Sequence, residues 1–368
     1  MNVLVCPDKF KGSLSAREAA EAIARGVKRA LPKADIVLQP LADGGEGSLD
    51  LLRRQPGLKE RRITVPGPLR KAVRAKYLLG NGKALIETAA ACGLHLVPPP
   101  RRHPSSTTTI GVGTLIDDAL ARGAHDITLF LGGSATNDGG AGMAAALGYR
   151  FYGKRGEDFV PMADSLKWVD RIDYDHRLPA IEKASFTAVC DVTAPLLGEQ
   201  GATLTYARQK GAEAERLLEL ERNMTYFADI IERDMGIDIR HLPGAGAAGG
   251  LGAGTVAFLG AELQQGISAI FAALDFTSLA ERADLVITGE GKIDRQTLQG
   301  KVVAGVVSYG KPTIAVCGST ELSAPELGVA RILSILPDPY INLTAATVYA
   351  ARYLEQRVYD HLASNHYT

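Results

Sequence analysis

Short apolar runs that break into loops of glycine and charge recur at both ends of the chain. Residues 3–6 (VLVC) lead into PDKFKGS and residues 35–41 into ADGGEG. Near the other end, residues 284–287 lead into TGEGKID and residues 313–317 (TIAVC) into GSTE. Between the first two, Ser15 and Glu18 form an S-x-x-E capping box. Ala19, Ala20, Ile23, Val27, Ala30 and Leu31 then recur at helical spacing until Pro32 stops the helix. Strand, helix and strand make a βαβ unit, so the ends of this chain are expected to build a parallel sheet.

The middle of the chain has a different pattern. RITV, AVRAKYLL and KALIETA, between residues 62 and 91, read as short strands separated by PGP and by the hairpin signal GNGK. PSSTTTIGVGTLIDDALARG gives a helix with Leu115, Ile116, Ala119 and Leu120 on one face. Residues 127–131 form a strand that runs into GGSATNDGGAG and an alanine-rich helix. Residues 186–190 form another, ending in DVTAPLLGEQGA. Residues 213–235 read as a long amphipathic helix, LPGAGAAGGLGAGTVAFLGA as a second glycine-rich helix entry, and residues 342–363 as the closing helix. At 368 residues the chain suits two domains. The expected architecture is α/β: a discontinuous parallel-sheet domain from residues 1–62 and 281–368, with a mixed α/β domain, residues 63–280, inserted into it.

Several function classes are excluded by absence. The 41 basic and 41 acidic residues balance, which removes the electrostatic reason to bind nucleic acid or an anionic membrane surface. No apolar run approaches eighteen residues and no signal-peptide pattern opens the chain, so a cytoplasmic protein is expected. The four cysteines are far apart and the seven histidines do not pair, so no zinc spacing is present. There is no P-loop, no protein-kinase signature and no G-x-S-x-G elbow.

In an open parallel sheet, ligands bind beyond the carboxyl ends of the strands. That rule collects Asp8, Lys9, Lys11, Asp43, Glu46, Glu290 and Asp294 along one rim. Gly132, Gly133, Gly139 and Gly140, interleaved with Ser134, Thr136, Asn137 and Asp138, leave backbone N–H groups open to a phosphate or carboxylate. The competing reading is close helix packing through Gly140 and Gly142. Gly244, Gly246 and Gly249 match G-x-G-x-x-G, but no apolar strand leads in, so a nicotinamide-dependent hydroxy-acid dehydrogenase rests on that match alone. Asp43, Glu46, Asp191, Glu290 and Asp294 are oxygen donors suited to Mg²⁺ or to general-base work, with helix capping as the alternative. Lys9, Lys11 and Lys301 are cations that can offset charge on a phosphoryl group in transit.

Six motifs in order, PDKFKGSLSA, PLADGGEGSLD, TLFLGGSATNDGGAGMAAALG, CDVTAPLLGEQGA, PGAGAAGGLGAG and DLVITGEGKIDRQTLQGK, resemble the type-1 glycerate kinase family from Asn2 to about Ser319. The resemblance implies a glycerate 2-kinase that uses ATP and Mg²⁺ to phosphorylate D-glycerate. It also implies a discontinuous flavodoxin-like domain, an inserted domain of restriction-enzyme-like topology, and an active site in the cleft between them. Two departures stand out: Lys9 replaces the small residue of PDSFKGS, and TYARQKGA replaces FGPQKGA, so Tyr206 to Arg208 differ beside Gln209 and Lys210.

Within that frame Asp191, which ends a strand of the inserted domain, is assigned as the base for the glycerate hydroxyl, and Lys11 offsets γ-phosphate charge. Asp43, Glu290 and Asp294 are assigned to Mg²⁺, directly or through water. Asp8, Lys9, Ser13, Gly44, Gly45, Gly132, Gly133, Ser134, Asn137, Asp138, Thr193, Gly289 and Lys301 are assigned to substrate or phosphate. The 2- and 3-hydroxyls of glycerate are not distinguished by the residues themselves. A glycerate-sensing regulator is the non-enzyme alternative, but the chain has no basic helix or helix-turn-helix spacing. A small-molecule substrate and a monomer or homodimer are expected.

Overall fold

The strand Asn2–Val5 lies between Asp35–Leu38 on one side and the distant Leu285–Ile293 on the other, parallel to both. A computed structural model of the chain describes residues 1–42, 48–53, 55–299 and 301–365. The sheet continues through Thr313–Thr320 to Arg331–Ser334, again in parallel. In chain order its strands run 2-1-3-4-5, the flavodoxin-like order, whose switch point lies between the first and third strands. Val3, Val5, Ile287, Ile314 and Val316 form its core with Ala19, Ile23 and Val27 of the helix Ala16–Ala30. The capping box is present: Glu18 N–H donates to Ser15 Oγ at 3.2 Å, and Ser15 N–H donates to Glu18 Oε2 at 2.8 Å.

Two expected loops are strand. TGEGKI belongs to Leu285–Ile293, and GST belongs to Thr313–Thr320. The cause lies in the glycines. A Cβ at Gly289 would stand 2.1 Å from the carbonyl oxygen of Val316, so the strands pair here only because a side chain is missing. The closing helix is also broken, into Leu343–Val348 and Ala350–Ser364, because Tyr349 leaves helical geometry at φ −106° and ψ 20°.

The second sheet is mixed and has six strands. Glu262–Gln265, Ser185–Cys190, Asp126–Phe130 and Lys83–Glu87 run parallel, and Ala72–Gly80 and Lys59–Pro66 complete it antiparallel. The GNGK hairpin forms as expected, with Asn81 and Gly82 at φ 54° and 74°, the positive values a two-residue turn requires. Ile86, Leu129 and Ala188 on the strands join Leu115 of helix Ile110–Ala121, Phe227 of helix Ala214–Met235 and Phe258 of helix Ala247–Leu259 in one core.

Contacts divide the chain into Met1–Asp43 with Ile267–Thr368, and Gly44–Gly266. These limits differ from the expected 62 and 281. Lys59–Pro66 pairs along its whole length with Ala72–Gly80, which ties it to the inserted unit. Phe271 stacks on Phe276 at 4.3 Å, and both meet Tyr309 edge-on, which ties the segment before Leu285 to the terminal unit. All four cysteines are buried and unpaired. Among the described residues no helix is long and apolar enough to cross a membrane.

Helices Ala16–Ala30 and Ala350–Ser364 touch through Gly26, where a Cβ would lie 2.5 Å from Glu355 O and 3.0 Å from Val358 Cβ. Gly26→Ala is therefore expected to destabilise the protein by about 1–3 kcal/mol through overpacking. Chemical denaturation measures this, and an unchanged midpoint would contradict such close helix packing.

Candidate active site

In the inserted unit, Lys83–Glu87, Asp126–Phe130 and Ser185–Cys190 are adjacent and parallel, so their carboxyl ends share one edge. The chain turns there after Phe130. Gly133 is exposed at φ 63°, and a Cβ would find only Ala89 Cβ, at 3.6 Å. The turn is pinned on both sides: Leu94 N–H donates to Gly133 O at 2.8 Å, and Ala135 N–H to Cys92 O at 2.8 Å. Asp191 and Thr193, beyond the neighbouring strand Ser185–Cys190, are also exposed at this edge. Gly132, Gly133, Asp191 and Thr193 are thus brought to one end of the sheet.

The following residues turn inward. Ser134, Thr136, Asn137 and Asp138 are all buried. Asp138 Oδ2 accepts from Thr109 N–H at 2.8 Å, Thr109 Oγ1 at 2.9 Å and Gly142 N–H at 3.3 Å. Its Oδ1 accepts from Gly140 N–H at 3.3 Å. Burial pushes the Asp138 carboxyl pKa up, and these bonds oppose the shift. The carboxylate anchors the loop to the starts of two helices, Ile110–Ala121 and Ala141–Ala146. Asn137 Nδ2 donates to Thr203 Oγ1 at 3.2 Å, while its Oδ1 is buried without a partner.

Most of the glycines serve packing. At Gly142 a Cβ would lie 2.2 Å from Thr108 Oγ1, and at Gly140 3.0 Å from Gly254 Cα. The second glycine-rich run presses against the same loop: a Cβ at Gly249 would stand 1.9 Å from Thr136 O, and Gly139 N–H donates to Gly249 O at 3.2 Å. Ala248, Gly249 and Gly250 all have positive φ. No strand leads into this run, so the dinucleotide reading of Gly244, Gly246 and Gly249 loses its structural basis.

Sequence reasoning assigned no role to Lys210. Its ammonium is buried and donates to Thr136 O at 2.8 Å and to Ser134 Oγ at 3.1 Å. Burial pushes its pKa down to about 8, while Cys92 and Asp138 pull the other way. Nothing in ARQKGA marks that lysine as interior. Thr109 and Thr203 were also missed, and the run of three threonines before Ile110 was the available signal.

In the terminal unit, Asp8 follows the first strand and its N–H donates to Gly289 O at 2.8 Å, at the switch point of the sheet. Lys9 N–H donates to Asp8 Oδ1 at 2.6 Å. Gly291 lets the next loop residue approach, since a Cβ there would lie 3.2 Å from Lys11 N. Glu290 is buried, and its Oε1 accepts from Thr297 Oγ1 at 2.7 Å. Thr297 Oγ1 in turn accepts from the backbone N–H of Asp294 at 3.1 Å, and the Asp294 carboxylate accepts from Gln296 N–H at 2.9 Å. Lys301 precedes helix Val302–Val307, and Lys11 is exposed. Ser13 Oγ donates to Thr347 O at 2.6 Å, which engages that hydroxyl within the fold. Asp43, Gly44, Gly45 and Glu46 lie outside the described residues.

Among the described residues no three His, Cys, Asp or Glu side chains converge as a metal site. The donor set still fits a hard cation that takes one or two carboxylates and completes its shell with phosphate and water, because Glu290 and Asp294 offer carboxylate oxygens within one short segment.

Replacing Asp138 with alanine removes the acceptor for four donors. It is expected to cost about 3 kcal/mol or more, since donors left unpaired in the interior are expensive. Unfolding in denaturant measures this, and wild-type stability would show that the carboxylate is not the anchor.

Comparison with known proteins agrees with this architecture. A model of the glycerate kinase family matches residues 3–364. A protein of Bacillus subtilis (strain 168) named glycerate kinase is 43% identical over 99% of this chain and 97% of its own length. Escherichia coli (strain K12) glycerate 2-kinase is 43% identical over 87% of this chain and 85% of its own. A crystal structure assigned as a candidate glycerate kinase 2 from Salmonella typhimurium LT2 superposes with a TM-score of 0.86 at 39% identity, covering 99% of this chain and 98% of that one. With a family match that spans nearly the whole sequence and relatives this similar over most of their length, the chain belongs to the glycerate kinase family.

Proposed function

We propose that the chain transfers the γ-phosphate of ATP to the 2-hydroxyl of D-glycerate, giving 2-phospho-D-glycerate and ADP. The observation that carries this reading is the open turn at Gly132 and Gly133, which shares a sheet edge with Asp191. A turn of bare backbone offers N–H donors to an anion, and an exposed carboxylate beside it can take a proton. Family membership supports the kinase chemistry. The name of the Escherichia coli relative supports the 2-position.

Asp191 accepts the hydroxyl proton as the substrate oxygen attacks the γ-phosphorus. The new O–P bond forms while the bond to the β-phosphate oxygen breaks, and the departing electron pair leaves with ADP. Lys9, Lys11 and Lys301, with Asp8, serve the phosphates, whereas Ser13 and Gly289 are engaged within the fold. Thr193 and the turn at Gly132 and Gly133 serve glycerate, and Ser134 and Asn137 support that turn from inside. Asp138 contributes by anchoring that turn. Glu290 and Asp294, together with Asp43, would hold Mg²⁺, which would supply positive charge to offset that of the phosphates.

The direct test is glycerate-dependent release of ADP, followed by addition of enolase alone, which acts on 2-phosphoglycerate and not on the 3-isomer. Release of ADP with enolpyruvate absorbance is the expected result. ADP without that absorbance moves the reaction to the 3-hydroxyl, and no glycerate-dependent ADP overturns the kinase. Asp191→Asn is expected to lower kcat by about 10²–10⁴-fold, the usual weight of a general base. Retention of most turnover would reassign the base. Gly133→Val forces a branched side chain into left-handed backbone at an open position, and its expected effect is a raised KM with the fold intact. Unchanged kinetics in a folded variant would remove the turn from the site.

A further inference from the structure

Lys210 is buried, yet it forms no ion pair with any described residue. An ammonium has three protons to donate, and two are placed: one on Thr136 O at 2.8 Å and one on Ser134 Oγ at 3.1 Å. The ionisable groups that face it are Cys92, from helix Ala89–Cys92, and Asp138, from the loop it supports. Burial pushes the Cys92 thiol up to about 12, so it carries no charge near neutral pH. Asp138 already accepts four bonds from Thr109, Gly140 and Gly142. The cation therefore stands behind the open turn with no carboxylate in contact.

A buried charge without a contacting counter-ion is costly, and a bound anion can supply the missing charge. Both bonds from Lys210 land on the segment just after Gly133, the one exposed residue of the turn. The side chain is buried, and both of its bonds are to the loop itself. We propose that Lys210 is a positioning residue: it clamps the turn through Ser134 and Thr136, and its charge is balanced by the anionic group that the turn binds. This rests on the reading of the turn as an anion site. The anion is a carboxylate or a phosphate, from glycerate or from the nucleotide.

The depressed pKa gives a second readout. A ligand anion nearby favours the charged amine, so binding above about pH 8 draws a proton from solvent.

The test uses the full chain and Lys210→Met, which keeps the length and removes the charge. KM for D-glycerate or for ATP is expected to rise about tenfold or more with kcat within about threefold, as loss of uniform binding requires. Whichever KM moves identifies the source of the anion. Both values within twofold of wild type in a folded variant overturn the proposal. Should the variant not fold, calorimetry of the wild type decides. D-glycerate and ADP are each titrated at pH 8.5 in two buffers of different ionisation enthalpy. Net uptake of about half a proton with one ligand supports the proposal, and no uptake with either overturns it. If wild-type protein shows no glycerate-dependent ADP release, the kinase reading itself fails and this inference falls with it. Turnover in the wild type with an indifferent Lys210→Met removes Lys210 alone.

Discussion

A carboxylate sealed inside a protein is tolerated only when donors surround it, and Asp138 is surrounded. Two of its four bonds come from Thr109 at the head of one helix, and two from Gly140 and Gly142 at the head of another. Thr109 Oγ1 closes the circuit by accepting from Met143 N–H at 2.9 Å. A glycine-rich loop has no side chains with which to hold itself in place. This one is held by an acid at its centre, by Lys210 at its approach and by backbone bonds from Leu94 and Ala135. Remove that acid and the loop loses its tie to the heads of both helices.

The density of glycine follows from how the loop is packed. Backbone lies against backbone where Gly249 meets Thr136 and where Gly254 meets Gly139, at distances a Cβ would not survive. Such contact buries peptide groups, and each needs a partner. The bond from Gly139 N–H to Gly249 O is one of those that meet this need. Of the glycines in the run, Gly133 alone combines exposure with open space around its Cα. The function assigned to the turn therefore rests on very little bare backbone, and the rest of the run exists to present it.

This division explains what was legible in the sequence. The capping box at Ser15, the hairpin at Asn81 and the apolar cores of the strands were readable because each depends on local chemistry, a side-chain cap, a positive φ or an apolar run. The continuation of the strand through Gly289, Glu290 and Gly291 was not, because glycine there serves a neighbouring strand that is distant in sequence. The edge strand Glu262–Gln265 was equally hidden, since ELQQ has no alternation or β-branched residues. The limits of the inserted unit depend on pairing partners, Lys59–Pro66 with Ala72–Gly80, that composition does not announce. At the site, residue types were legible and directions were not. Asp138 and Asn137 read as ligand contacts because they are polar and lie among glycines, but a polar residue in a loop points inward as readily as outward. Lys210 is the converse, a lysine that looks solvated in sequence and lies inside.

The two units carry different chemistry on their sheet edges, and the proposed reaction needs both kinds. Phosphoryl transfer asks for dispersed positive and metal charge around a polyphosphate, and also for an oriented acceptor whose hydroxyl loses a proton. In the proposed reading the terminal unit answers the first demand: Asp8 and Glu290 flank the switch point, and Lys9, Lys11 and Lys301 belong to the same unit. In the same reading the inserted unit answers the second, through a backbone turn and Asp191. A small hydroxy acid offers little area to grip, so orientation must come from donors that do not move. A turn clamped by Leu94, Ala135 and Lys210 meets that requirement better than mobile side chains would. The cost of burying Lys210 and Asp138 then has a rationale. Stability is given up at the loop so that a few backbone donors keep one geometry before the substrate arrives.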